Sequence, residues 1–355
     1  AMEHLKQLII LFMLGLHLEI IIPTAAAVVN SKEPLIIEPQ CPNADDIFPC
    51  ICSHHEGDGI LDLDCSSVVD EDELKRVFSE SFPTTTFNKF TINQNQYLKN
   101  LPWNAFRSVT FLEICVNNGN AEIVHPGFMD SSVDTVNTID LSYNTITSIS
   151  FPHLMQNYTK LYHLDVSFNN ITWVPALESD VLTYLNIGYN PIFHLAPTPF
   201  VGLPIIEKIY LTSIGLEELK TGLFVEHSHL QVIGLARNKL TVLPTDAFST
   251  PSKNMTEIIL IQNNIEVVHS NAFPETSSKI VSVLGHIGIV DFLQVNVPSL
   301  VCSIGQFLRL KNNNIRCGCD MQWLVQEPDM LDLVHGYCTN GTYIPNLDPD
   351  GFMDC

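Results

Sequence analysis

Leu161-Tyr162-His163-Leu164-Asp165-Val166-Ser167-Phe168-Asn169-Asn170-Ile171 is the clearest copy of a frame, L-x-x-L-x-L-x-x-N-x-L, that recurs along this chain. Strand side chains alternate between faces, so Leu164 and Val166 share one side while Asp165 takes the other. Asn169 falls where the chain must leave the strand. Its amide can bond backbone groups of its own and the neighbouring copy that would otherwise be buried unpaired. Asparagines in this frame occupy Asn95, Asn117, Asn144, Asn169, Asn190, Asn238, Asn263 and Asn313, 21 to 27 residues apart once vacant slots at Ile214 and Gly288 are counted.

A fixed period in the twenties with this frame is the signature of a leucine-rich-repeat solenoid. The expected fold class is an α/β repeat solenoid: a horseshoe with a parallel concave sheet and disulfide-bonded caps at both ends. About ten coils fill residues 84–316, and none could bury its apolar edge alone. Several coils close on a phenylalanine (Phe106, Phe224, Phe248, Phe273), which predicts a stacked spine on the convex side. The ninth coil is degenerate, with Gly285 and Gly288 in slots that call for an apolar residue and Asn.

The ends are organised differently. Lys6 precedes an apolar run from Leu8 to Leu16, extended by Ile20-Ile21-Ile22, and Ala25-Ala26-Ala27 offers small residues for signal peptidase. Residues 1–27 are therefore expected to be a signal peptide, with cleavage as late as 39 left open. No second apolar span of membrane length is seen, so a secreted extracellular chain with no membrane partner is expected. Four cysteines precede the repeats (Cys41, Cys50, Cys52, Cys65) and four follow them (Cys317, Cys319, Cys338, Cys355). Each quartet lies where a solenoid end would expose apolar edge, so residues 41–80 and 317–355 are expected to be disulfide caps. Spacing alone allows three pairings in each, and zinc is the rival reading. Cys115 and Cys302 are too far apart to pair and are read as buried fillers, or for Cys115 as an exposed thiol. Within the first cap, Asp70 followed by Glu73 forms a capping box for a short helix over 70–80.

Acidic residues outnumber basic ones 39 to 17, which argues against a nucleic-acid partner, since such binders need a basic stripe. No nucleophile elbow, zinc-protease helix, phosphate loop or dinucleotide fingerprint is present, so no catalytic, cofactor or metal residue is assigned. His54-His55-Glu56 reads as solvated polar sequence, and the calcium-like start at Asn346 lacks its bidentate acid. Four glycosylation acceptors occur, at Asn157, Asn170, Asn254 and Asn340.

A binding surface is the better-supported reading. Positions between the strand apolars face the concave side and give a row of Glu113, Asp140, Asp165, Asn186 and Tyr210. The residue before each ladder Asn gives Val116, Tyr143, Phe168 and Tyr189. Aromatics supply anchor energy at interfaces and acids supply orientation. Against this, Leu-Asp-Leu-Ser is also ordinary wording for the repeat. Ile259 and Ile261, with Leu284, Ile287 and Phe307, would make the far floor apolar.

The match goes beyond the generic repeat. The quartet from Cys41-Pro42 to Cys65, the capping helix at Asp70, and the run from Asn144 through Leu164–Ile171 to Gly188-Tyr189-Asn190-Pro191 resemble one secreted crustacean family. It comprises the non-catalytic leucine-rich-repeat subunits of oplophorus-luciferin 2-monooxygenase. The resemblance implies a chain without catalytic residues, in a hetero-oligomer with a small catalytic luciferase subunit of barrel fold that oxidises coelenterazine. It carries over no functional residue. Resemblance to secreted leucine-rich-repeat caps further implies interleaved pairs, Cys41–Cys52 with Cys50–Cys65 and Cys317–Cys338 with Cys319–Cys355. A free secreted recognition module, for adhesion, guidance or immune-type binding, is the alternative reading.

Overall fold

The computed structural model describes residues 39–54, 59–263, 267–268, 272, 280–282, 308–315, 317–319, 322–326, 331, 334–338 and 340–352. All of them belong to one compact unit, Pro39–Cys355.

Short alternating runs become short strands, because a turn follows each at once. Among the described residues thirteen strands form a single sheet. In chain order they are β1 (Ile51–His54), β2 (Leu61–Asp64), β3 (Thr86–Asn93), β4 (Thr110–Asn117), β5 (Thr138–Asp140), β6 (His163–Asp165), β7 (Tyr184–Asn186), β8 (Lys208–Tyr210), β9 (Val232–Gly234), β10 (Glu257–Ile259), β11 (Ile280–Ser282), β12 (Leu308–Ile315) and β13 (Val334–Cys338). Only β1 and β2 pair antiparallel, and each of β3 to β12 opens one coil. The register sets Ile139, Leu164, Leu185, Ile209, Ile233 and Ile258 side by side. Each is 1% exposed or less. Burial on this scale stabilises by about 1.5–3 kcal/mol per side chain, and every coil supplies the cover for the next.

The asparagines form a ladder behind the sheet. Asn169 Nδ2 donates to Leu141 O of the preceding coil at 2.9 Å and to Val166 O of its own at 3.1 Å. Its Oδ1 accepts from Ile146 N at 2.9 Å. Asn144, Asn190, Asn238 and Asn263 repeat the arrangement. Asn117 does not belong to it, contrary to expectation. Its amide instead donates to Asp140 Oδ2 at 2.6 Å on the sheet face, and Gly119 takes the ladder slot. A Cβ there would sit 2.6 Å from Asn95 O and 3.0 Å from Asn144 Oδ1, so the closing coil leaves no room for one. Counting three residues from the strand apolar Val116 leads to Gly119, and the asparagine two places earlier is a decoy.

The phenylalanines Phe106, Phe128, Phe224 and Phe248 are buried behind the sheet, with Phe106 and Phe128 centroids 4.9 Å apart. Phe273 and the degenerate ninth-coil glycines lie outside the described residues. In the first cap, α1 (Ala44–Ile47) and α2 (Glu71–Val77) flank β1 and β2. Asp70 Oδ1 accepts from Glu73 N at 2.8 Å and Glu73 Oε2 from Val69 N at 2.9 Å, which fixes where α2 begins. α2 then lays Leu74 and Val77, with the adjoining Phe78, into the core. Disulfides join Cys41 to Cys52, Cys50 to Cys65 and Cys317 to Cys338. Cys319 is also disulfide-bonded, and Cys355 lies outside the described residues. Among the described residues no helix is long and apolar enough to cross a membrane.

Candidate interaction face on the sheet

The outward positions of the strands form rows across successive coils. Asp140, Asp165, Asn186 and Tyr210 share one row, continued by Gly234 and Ile259. Glu113 is not in it. β4 pairs Glu113 with Thr138 and sets Cys115 opposite Asp140. The apolar pair of that coil is Ile114 and Val116, and Glu113 lies one step before it. Glu113 Oε2 is 3.8 Å from Lys89 Nζ.

The acids of this row are occupied locally. Asp140 accepts from Ser142 N at 2.9 Å and Asp165 from Ser167 N at 2.8 Å, each closing the end of its own strand. Asp165 also takes Asn186 Nδ2 at 2.9 Å. Turn chemistry therefore accounts for these carboxylates without a partner.

The aromatics have no such account. Tyr143, Phe168 and Tyr189 form a continuous stack, with centroids 4.0 and 3.9 Å apart and planes within 10° of parallel. The Arg237 guanidinium lies 5.9 Å from the Tyr189 ring and closes one end. All three rings stand on backbone with φ between 53 and 54°, the left-handed region. That conformation costs a bulky residue roughly 1–2 kcal/mol and suits Asn or Gly better. Asn118 fills the same slot in coil two, at φ 53°. Val116, expected in this row, is instead a buried strand residue at 2% exposure. Stacking returns about 0.5–1.5 kcal/mol per pair, which offsets the backbone but does not explain why three consecutive exposed or half-buried slots carry rings. Tyr143 is 49% exposed. The same slot is left-handed in coils one to eight, from Gln94 to Gln262, so the backbone belongs to the repeat turn, and it is the run of three aromatics in consecutive slots that points to function.

A second aromatic group lies closer to the middle of the strands. His163 stacks on Tyr184 at 3.9 Å, and Tyr210 is tilted 5.4 Å beyond. Burial lowers the His163 pKa, despite the nearby Asp165 and Asp140, so the ring is neutral at physiological pH. Burial and then Asp165 push the Tyr184 hydroxyl up to about 12. Tyr210 leans across Gly234, where a Cβ would come within 2.7 Å of its ring. Ile259 and Ile261 follow, both half-buried, whereas Leu284, Ile287 and Phe307 lie outside the described residues. Cys115 is 8% exposed, and burial raises its thiol to about 11 against the pull of Lys89. It is protonated and unreactive at neutral pH. Cys302 is outside the described residues, as are His55 and Glu56. The four acceptors Asn157, Asn170, Asn254 and Asn340 are all exposed.

One feature is not anticipated by the strand pattern. An open groove of about 1500 Å³ lies on the flank beyond the turn, lined by Tyr189, Pro191, Phe193, Leu216, Lys220 and Arg237 among others. Ile214 in place of a ladder asparagine is its signal in the sequence.

No family model matches the chain. Among solved structures it is similar to a chain of the octameric complex of Latrophilin 3, Unc5D and FLRT2 (TM-score 0.61, 17% identity, 82% of this chain and 89% of that one). It is also similar to a chain of the mouse RP105/MD-1 complex (TM-score 0.58, 16% identity, 81% and 53% covered). These likenesses show the leucine-rich-repeat fold. A curated relative reaches further: the Oplophorus-luciferin 2-monooxygenase non-catalytic subunit of Oplophorus gracilirostris is 33% identical over 321 residues, 88% of this chain and 87% of that protein. With that identity running over nearly the full length of both, the chain belongs to the family of that non-catalytic subunit.

Proposed function

We propose that the chain is a secreted, non-catalytic subunit that binds and stabilises a small catalytic luciferase subunit through the exposed face of its sheet. One observation carries this reading: Tyr143, Phe168 and Tyr189 occupy the same turn slot of three consecutive coils and form one parallel stack, Tyr143 exposed and the other two half-buried. Preformed aromatic surface loses little side-chain freedom on docking, which suits an anchor. The relative's name, a non-catalytic subunit, supplies the class of partner. Tyr210 and the half-buried Ile259 and Ile261 extend the same face.

The double variant Phe168→Ala/Tyr189→Ala should weaken association with the catalytic subunit by about 2–4 kcal/mol, measured by titration calorimetry. The isolated chain should give no light with coelenterazine, and adding it should lengthen the active life of the catalytic subunit. Unchanged affinity in the double variant moves the contact off this face. Failure to co-purify with any catalytic subunit from the secretory tissue favours a free recognition module.

A further inference from the structure

The flank groove follows from the break in the ladder. In coils with an asparagine, its Oδ1 takes an N–H of the preceding coil, as Asn190 does for Ile171 N at 2.9 Å. Coil six has Ile214 in that slot, so Ile192 N turns back onto Asn190 O at 2.9 Å. After Tyr189 N donates to Thr212 O, no hydrogen bond joins residues 190–198 to 213–221. Among the described residues, the backbone of Glu217, Glu218, Leu219 and Lys220 has no hydrogen-bond partner.

The flank strands stop on either side of this gap. His194–Leu195 pairs with Trp173–Val174 of the coil before, and Val242–Leu243 pairs with Val267–Val268 of the coil after. Coil six contributes no flank strand between them, and the groove lies in its place. Unpaired backbone beside a strand edge is a template for another strand.

We propose that this groove takes an extended segment of a partner protein, apolar at alternate positions and acidic between them, lying where the flank strand of coil six is missing. The proposal rests on the partner-binding reading for the existence of a protein partner and adds a second contact, on the flank, that borders the Phe168–Tyr189 end of the aromatic stack. Main-chain bonds to residues 217–220 give affinity in this mode, and side-chain pockets give selectivity. Phe193, 75% exposed, offers an apolar contact on one wall and Val242, 38% exposed, on the other. Charge selects the acidic residues. The chain has a net charge of −22, yet in the groove three cations, Lys220, Lys239 and Arg237, outnumber the two acids Glu217 and Glu218. Lys239 is paired with Glu217 at 3.2 Å, whereas among the described residues no ion pair holds Lys220, and Arg237 bonds Gln262 through its Nε and lies over Tyr189. A basic spot on an acidic surface steers acidic segments and repels most others. A hydrocarbon chain fits worse, since it would cover those backbone groups without bonding them.

The full secreted chain is tested with a fluorescein-labelled peptide of alternating Asp and Val, the matching Lys-Val peptide, and the Asp-Val peptide with alternate amides N-methylated. The Asp-Val peptide should bind, while the Lys-Val and N-methylated peptides should bind at least tenfold more weakly. Lys220→Glu should weaken Asp-Val binding at least tenfold, and Ile214→Asn, which restores the ladder, should do the same with melting temperature unchanged or raised. Tyr143→Ala, on the sheet face outside the groove, should leave peptide binding intact. Equal binding of the two charge types, indifference to N-methylation, no peptide binding at all, displacement by oleate, or self-association through Ile214 each overturns the assignment. If peptide binding fails while Tyr143→Ala, outside the groove, still weakens binding of the catalytic subunit, only the groove assignment falls. If peptide binding holds while Tyr143→Ala leaves the catalytic subunit fully bound, the sheet-face reading falls instead.

Discussion

Two asparagines of similar setting in the sequence do different jobs in the fold. Asn169, 4% exposed, bonds backbone groups of two coils, and Asn169→Ala would leave those groups buried and unpaired. The expected cost is about 1–3 kcal/mol in urea unfolding, whereas Asn117→Ala, half-exposed on the sheet face, should cost about 0.5 kcal/mol or less. Equal losses would mean that the ladder carries no special weight. His227 is a different case. It is fully buried, and among the described residues neither ring nitrogen has a hydrogen-bond partner. Burial lowers its pKa from the ordinary 6.5 to about 4. The folded chain thus resists protonation that the unfolded chain accepts. Stability is complete above pH 6.5 and falls as pH drops toward 4, by about 2–3 kcal/mol from this residue. His227→Leu should remove that share of the acid loss when melts at pH 7.5 and 4.5 are compared, and an identical acid sensitivity would contradict the assignment.

At the scale of elements, the first cap is where covalent closure matters most. Cys50–Cys65 spans 15 residues and ties the start of β1 to the end of β2, while Cys65 is wholly buried. Closing a loop of that length stabilises by about 3 kcal/mol, chiefly by restricting the unfolded chain. Cys50→Ser/Cys65→Ser should therefore lower stability by about 2–4 kcal/mol, with amide exchange rising first in β1, β2 and β3. Uniform loss of protection across the coils would show that the cap does not act as an end-stop. The aromatic stack is likewise a property of an element row and not of one residue. Tyr143, Phe168 and Tyr189 meet because their coils bring equivalent turn positions into register about one strand spacing apart.

For the molecule as a whole, each coil is covered by its neighbours, so damage in the middle divides the stack. Leu164 is fully buried in β6, and Leu164→Ala should cost about 2–5 kcal/mol and separate denaturant unfolding into more than one transition. A single, merely shifted transition would show tighter coupling than nearest-neighbour stacking gives. The repeat fold, the cap positions, α2 and most of the ladder were legible in the sequence, because each rests on local spacing: apolar residues two apart, an asparagine three later, cysteines bunched at the ends. The aromatic row was legible for the same reason from Tyr143 to Tyr189. Glu113 and Asn117 were misplaced because β4 is long, and register depends on which residues the neighbouring strands pair with. That Asp140 and Asp165 serve their own turns, that three rings stack under Arg237, and that coil six opens a groove could be decided only in three dimensions. A linear pattern says which residues repeat, whereas hydrogen-bond partners and open space depend on what the adjacent coil places opposite them.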